Sequence, residues 1–375
     1  MKLKNPFLTR GYAGAEYFCD REMETHKLIS AFENDRDVTL IAPRRFGKTG
    51  LIHHTFSRLP EEYVSIYLDI FSTRTLSEFP SLFASAVIGA LDTKIEAAMS
   101  AVTRFFRSCR PTITPQEDGM PMFSFDIAPS AAETTLKEVF AYLKSKERRV
   151  VVAIDEFQQV AEYPEKGVEA LLRSEIQFLP NVRFVFAGSR KHMMEEMFAS
   201  PKRPFYQSTQ IMSLREIPCE AYAGFAEKFF KDAGRSFNPD AFSILYNQFE
   251  GITWYVQAVM NRIWESGDGL TEKGQIDAAV NSLVEDQELV FYDLLRSQSD
   301  GSQTMLRAIA NAGKVSKPTS GEFVANSGLR AASSAAFALN DLKNRDLVYE
   351  TESGWTVYDR LFGIWLRKRY GLKLK

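Results

Sequence analysis

Nine residues, Ala42-Pro43-Arg44-Arg45-Phe46-Gly47-Lys48-Thr49-Gly50, have the types and spacing of a loop that cradles phosphate. Successive backbone N–H groups of such a loop point at phosphate oxygens, and the helix that follows adds partial positive charge at its N-terminus. Lys48 is placed to reach the β- and γ-phosphates, and the Thr49 hydroxyl to ligate Mg²⁺. The strict form of the pattern opens with glycine, where this chain has Ala42. The surroundings fit: Val38-Thr39-Leu40-Ile41 reads as a short buried strand, and Leu51, Ile52, Thr55 and Phe56 recur at helical spacing.

A second group of chemical residues closes another apolar run. Val150-Val151-Val152-Ala153-Ile154 ends in Asp155-Glu156. Asp155 is expected to hold Mg²⁺ near Thr49, and Glu156 to polarise an attacking water as general base. Ser189 ends a third run, Val182 to Gly188, where a hydroxyl can meet the γ-phosphate or the water, or simply cap the next helix. Phosphoryl transfer also calls for a guanidinium. Arg44, Arg45, Arg173, Arg190 and Arg203 are the candidates, with Arg203 in the irregular stretch Ser200–Tyr206 the first choice. The four histidines and three cysteines show no metal-ligand spacing, and no Ser-His-Asp or Cys-His arrangement is evident.

These residues need a scaffold that brings strand ends together. Strand-like runs at 38–41, 63–70, 150–154, 182–188 and 208–214 alternate with helical patterns at about 76–106, 131–146 and 168–179. Asp20 is a plausible N-cap for a helix carrying Leu28, Ile29 and Phe32. Such alternation implies an α/β fold with a parallel sheet sandwiched by helices, whose ligands bind beyond the carboxyl ends of the strands. Between Arg110 and Pro129 a Pro-rich segment with a turn at Glu117-Asp118-Gly119 reads as an inserted hairpin. From Glu216 to Val284 the pattern is helical. Beyond it, helices at 303–312, 321–325 and 331–344 precede a hairpin, Leu347–Glu350 and Trp355–Tyr358, as in a winged helix-turn-helix. The expected division is a core at 1–215, a helical lid at 216–285 and a winged helix at 286–375.

The chain has 375 residues, 45% hydrophobic and 25% charged, with net charge −2, so any nucleic-acid contact must come from a local patch. The tail from Arg360 to Lys375 is one such patch, or the solvated face of a helix whose other side carries Leu361, Phe362, Ile364, Trp365 and Leu366. No apolar run is long enough to span a membrane, and the opening residues lack a signal core. Widely spaced cysteines fit a reducing, cytoplasmic setting.

Taken together, the segments resemble archaeal-type ATPases of the STAND branch, related to AAA+ proteins and to archaeal origin-recognition ATPases. The resemblance rests on Phe18-Cys19-Asp20-Arg21-Glu22-Met23-Glu24, Pro43 to Thr49, Asp155-Glu156-Phe157, Gly188-Ser189 and Tyr358 to Leu366. It implies ATP and Mg²⁺ as ligands, with Phe18 and Arg21 beside the adenine, and a nucleotide switch that works through self-association or a protein partner. Thr253 stands where the family has a lid proline, and Arg360 where it has a proline after Asp359; the second change is expected to alter only a turn. Two other readings stay open: an initiator-type or transposition-helper ATPase that uses the winged helix on duplex DNA, and a small-molecule kinase. The second needs an acceptor pocket that no segment suggests.

Overall fold

The computed structural model describes residues 3–92, 95–115 and 121–371; the turn expected at Glu117-Asp118-Gly119 lies outside them. In chain order the first part runs α1 (Glu22–Glu33), β1 (Val38–Ile41), α2 (Lys48–Arg58), β2 (Tyr63–Asp69), α3 (Glu78–Leu91), α4 (Ile95–Phe105), β3 (Arg110–Pro115) and β4 (Pro121–Asp126). It continues with α5 (Ala132–Lys144), β5 (Arg149–Asp155), α6 (Val168–Ile176), β6 (Val182–Gly188), α7 (Lys191–Ala199) and β7 (Gln210–Ser213). Five of these strands form a parallel sheet in the order β2-β5-β6-β1-β7, while β3 and β4 pair antiparallel as a separate hairpin.

The register explains how distant residues meet. Ile41 lies opposite Gly188 on one side and Ser213 on the other, and Asp69 lies opposite Asp155. The carboxyl ends of the strands therefore end level. Because β6 lies between β1 and β5, the strand ending at Gly188, just before Ser189, separates the phosphate-loop strand from the Asp155 strand. Strand β5 is buried from Val150 to Asp155, as expected of a strand covered on both faces. On one face Val152, Ile154, Phe184 and Phe186 share a core with α3, α5, α6 and α7. Phe157, Phe198 and Phe205 crowd onto Phe186 with ring centroids 4.6–5.3 Å away.

Several expectations shift. The single helix read at 76–106 is two helices, α3 and α4. Asp92, just after α3, accepts from Lys146 at 3.0 Å and from the Tyr142 hydroxyl, so a tertiary anchor ends α3 where no breaker residue does. Asp20 is not an N-cap: α1 starts at Glu22, and Asp20 and Arg21 both hold left-handed backbone, φ 54° and 71°.

By its contacts the chain forms two compact units. One comprises residues 8–225 with Gly251–Trp254. The other comprises residues 3–7, 226–250 and 255–371. Helices α8 (Cys219–Asp232), α9 (Pro239–Gln248), α10 (Thr253–Glu265) and α11 (Lys273–Glu285) account for the helical region expected from the sequence. Asn238 caps α9 by accepting from the Asp240 N–H, with Pro239 at the first helical position. In the second unit Phe7 packs on Phe229, Phe230 and Trp264.

The last part runs α12 (Glu288–Arg296), α13 (Asp300–Ala312), α14 (Gly321–Ser327), α15 (Ala332–Asn344), β8 (Val348–Thr351), β9 (Gly354–Val357) and α16 (Arg360–Tyr370). Ser299 and Ser320 cap α13 and α14, and β8 and β9 form an antiparallel wing. Helix α16 is not two-faced in the way its sequence suggests, since Leu361 to Leu366 are all buried. Only its last turn, Arg367-Lys368-Arg369, is polar and exposed.

Candidate functional site

The phosphate loop leaves β1 at Ala42 and enters α2 at Lys48. Arg45 and Gly47 take left-handed backbone, φ 73° and 88°, which curls the loop. Ala42 N–H donates to Gly188 O at 3.3 Å, tying the loop to the end of β6. Lys48 is 6% exposed, and its Nζ donates to Ala42 O at 2.9 Å and reaches Pro43 O at 3.5 Å. Burial pushes the ammonium pKa down, against the pull of Asp155 and Glu156. A dehydrated ammonium facing two carboxylates is suited to a polyanionic ligand.

Two carboxylates sit at the end of β5 with separate sets of partners. Asp155 Oδ2 accepts from Thr49 Oγ1 at 2.8 Å and from the Tyr67 hydroxyl at 3.0 Å. Glu156 has left-handed backbone, φ 56°, so its side chain leaves the strand in another direction. Its Oε2 accepts from Ser189 Oγ at 2.7 Å and from Gln158 Nε2 at 2.5 Å. Ser189 therefore binds Glu156 rather than capping α7, which starts after Arg190 with no side-chain cap. Burial raises the Asp69 carboxyl, with the charges of Asp155 and Glu156 adding to the shift, so three acids share this end of the sheet.

On the outer side of α2, Phe18 stacks on His54 with centroids 4.4 Å apart and approaches Gly50, where a Cβ would lie 3.2 Å from its ring. The His54 Nδ1 pairs with the Tyr12 hydroxyl at 2.9 Å. Arg21, 4% exposed, donates to Glu24 at 2.8 Å. The loop also receives Trp254, which the sequence pattern did not single out, and Thr253 of the expected lid. Trp254 N–H donates to Arg45 O at 3.0 Å, and the Arg45 guanidinium lies 4.4 Å from the Trp254 ring. Thr253 Oγ1 lies 3.5 Å from Phe46 O.

A family described as an ATPase domain found predominantly in Archaea matches residues 18–259, from Phe18 through the Trp254 segment. The chain belongs to this family. It is thus a P-loop ATPase, an NTP hydrolase by class. A second family, described as a probable winged helix domain, matches residues 289–368, which spans α13 to β9 and most of α12 and α16. Solved structures share the fold. The Walker-type ATPase PABY2304 of Pyrococcus abyssi aligns with TM-score 0.64 at 18% identity, over 96% of this chain and 99% of that one. The Aeropyrum pernix ORC2 protein, solved as ADPNP–ADP complexes, aligns at 0.62 and 16%, over 97% and 95%. The Aeropyrum pernix ORC1 protein, in complex with DNA, aligns at 0.54 and 13%, over 98% of each chain. No curated protein matches the sequence.

The arginines of this ATPase are placed unevenly. Arg44 lies 5.4 Å from the exposed Phe71 ring, and Arg45 stacks on Trp254. Arg203 pairs with Glu169 at 3.2 Å and Glu196 at 3.6 Å, on α6 and α7, instead of meeting Asp155 or Glu156. Arg190 pairs with Glu162. Arg173 influences Asp37, which precedes β1 at the opposite end of the sheet.

Two side chains that bind the carboxylates were also missed by sequence reasoning. Tyr67 is two residues before Asp69 and so on the same strand face; register with β5 would have revealed it. Gln158 lies beyond the strand, and nothing in its surroundings marks it.

Proposed function

We propose that this protein is an ATP-dependent switch of the STAND/AAA+ type, binding ATP with Mg²⁺ and hydrolysing it. The observation that carries the reading is the division of labour at the end of β5. Asp155 is tied to the loop threonine, while Glu156 is tied to Ser189 and Gln158. A metal carboxylate and a base carboxylate need such separate environments. In Glu156 both hydrogen bonds fall on Oε2, leaving Oε1 as the oxygen without a protein donor among the described residues. In this reading Oε1 accepts the proton of the attacking water, and Ser189 and Gln158 keep the carboxylate aimed.

Thr49 and Asp155 fit Mg²⁺, being oxygen donors 2.8 Å apart beside the phosphate loop. No group of three or more His, Cys, Asp or Glu suited to a metal exists among the described residues, so a bound ion would take its remaining ligands from nucleotide and water. When bound, Mg²⁺ supplies charge neutralisation to the β- and γ-phosphates. The phosphates would lie on the N–H groups from Arg44 to Gly50 and on Lys48, with Phe18 and Arg21 toward the base. Arg203, held by Glu169 and Glu196, would serve as a finger only after leaving them. We further propose residues 1–215 as the catalytic core, 216–285 as a lid and 286–375 as the reporter of nucleotide state.

Changing Glu156 to Gln tests the assignment. ATP affinity should stay within about threefold while kcat falls about 10²–10⁴-fold, the usual contribution of a positioned base. Lost binding would make Glu156 structural. Phosphate release without any acceptor separates hydrolysis from kinase-type transfer. Light scattering with and without ATP on the same variant tests the switch, which requires nucleotide-dependent assembly. A DNA-binding role gains support from the fold shared with the ORC1–DNA complex, and its test belongs to the winged helix.

A further inference from the structure

Outside the ATP site, the second unit contains a cavity of about 170 Å³ between the end of α9, the end of α13 and the start of α16. Lys314, Arg360 and Arg367 line it with Glu250, so three cations face one carboxylate, a net charge of +2. The carboxylate is already shared: Oε1 lies 3.0 Å from Arg360 Nη2, and Oε2 accepts from Lys314 Nζ at 2.6 Å. Arg367 donates to Ala310 O at 3.2 Å in the last turn of α13, whose negative end offsets only about half a charge. Partial burial of its guanidinium against α13 lowers the Arg367 pKa, and the neighbouring charge of Arg360 adds to the shift.

Arg360 is the centre of the arrangement. Its side chain is 10% exposed and donates to Thr356 Oγ1, Val357 O and the Tyr349 hydroxyl. Its N–H donates to the Tyr255 hydroxyl at 2.8 Å, a bond that proline could not make, so the residue does more than alter a turn. Yet Nε is buried with no acceptor among the described residues. A buried, unsatisfied charged donor in a cationic cavity points to an anionic ligand.

We propose that this cavity binds a phosphate group, as inorganic phosphate or the head of a phosphomonoester, in competition with Glu250. Several donors approaching from different elements suit a tetrahedral oxyanion, whereas a carboxylate is already supplied internally. The volume admits a phosphate head. The proposal does not depend on how the P-loop is used.

Calorimetry on the full chain tests it, in a Lys48→Ala background that disables phosphate binding at the P-loop. Sodium phosphate is titrated against sodium chloride of matched ionic strength, and glycerol phosphate forms a second arm. Phosphate should bind and chloride should not. Lys314→Ala should weaken binding about tenfold, the effect of losing one charge-assisted contact. Glu250→Gln should tighten it severalfold by removing the competitor. Tighter binding of glycerol phosphate identifies a monoester as the ligand, and equal or weaker binding identifies the free ion. If phosphate gives no more heat than chloride, or if both variants bind like the parent, the proposal is wrong. Should Lys314→Ala fail to fold, the opposite shift in Glu250→Gln decides the matter alone.

Discussion

Tyr67 carries a role at the residue scale that its place in an ordinary strand conceals. Its hydroxyl and that of Thr49 both donate to Asp155 Oδ2. Burial, with help from the Asp155 charge, pushes the phenol pKa far upward, so the group stays a donor at every working pH. Tyr67→Phe should therefore leave ATP affinity nearly unchanged. It should lower kcat about tenfold and raise the Mg²⁺ concentration needed for half-maximal rate, because Asp155 loses a charge-assisted bond. Steady-state ATPase assays across a Mg²⁺ series check this; a fall in melting temperature with an unmoved Mg²⁺ dependence would make Tyr67 merely structural. Asp155, Glu156 and Ser189 could be singled out as candidates because each sits where a buried run stops, and Lys48 and Thr49 because they follow such a run across a short loop; strand ends are where ligands bind in such sheets. Tyr67 was not, since its significance depends on which strand lies beside β2. The Glu169 and Glu196 partners of Arg203 were hidden for a similar reason: they lie on other elements, and nothing local marks the pairing.

Elements impose constraints of their own, and the end of β6 is closely packed. A Cβ at Gly188 would lie 2.4 Å from Met194 Sδ and 2.6 Å from Gln158 Oε1. A side chain at Gly188 would therefore have to displace Met194 and Gln158, a matter of close approach rather than of backbone angle. Gly188→Ala should destabilise the protein by about 1–3 kcal/mol, as overpacking does, and displace Gln158 from Glu156. Denaturant midpoints should fall, and ATPase activity should drop further than the fraction unfolded explains. At the other end of the sheet, Asp37 accepts from Phe184 N–H at 2.8 Å, and burial raises its pKa to about 6 from an unfolded value near 3.8. The sign follows from proton uptake: the folded state holds the proton more tightly, so this group's contribution is complete below the unfolded pKa and is lost as pH rises through about 6. Asp37→Asn keeps the acceptor without the charge. It should be more stable than the parent by about 1–2 kcal/mol at pH 8 and no more stable at pH 4, as melting curves at the two values would show. The strands of the sheet and the wing were legible to within a few residues because their apolar runs are short and bounded. Helix α12 was not: Leu289 and Val290 are 81% and 63% exposed, so its apolar residues do not mark its buried side.

For the molecule as a whole, sequence and fold agree on an ATPase core followed by a winged helix, and the surface of that winged helix tests what it contacts. In helix-turn-helix domains the second helix of the motif enters the major groove, here α15. Among its thirteen residues, Ala332 to Asn344, the single basic residue is Lys343. Arg345, just after it, is paired with Asp341 at 2.9 Å. The exposed positions include Ala332, Ser333, Ala336 and Phe337, the last 75% exposed. An apolar, nearly uncharged helix neutralises few phosphates, and a net charge of −2 gives no long-range attraction to compensate. A protein making six to ten phosphate contacts loses affinity with a slope of roughly −0.9 per contact in log salt. This chain should instead show weak duplex binding, with a slope no steeper than about −3 that does not change on Phe337→Ala or Lys343→Ala. Fluorescence anisotropy with a labelled duplex from low to physiological salt measures both quantities. A steep slope that collapses in Lys343→Ala would place DNA on α15 and move the output of the proposed switch from a protein partner to the double helix.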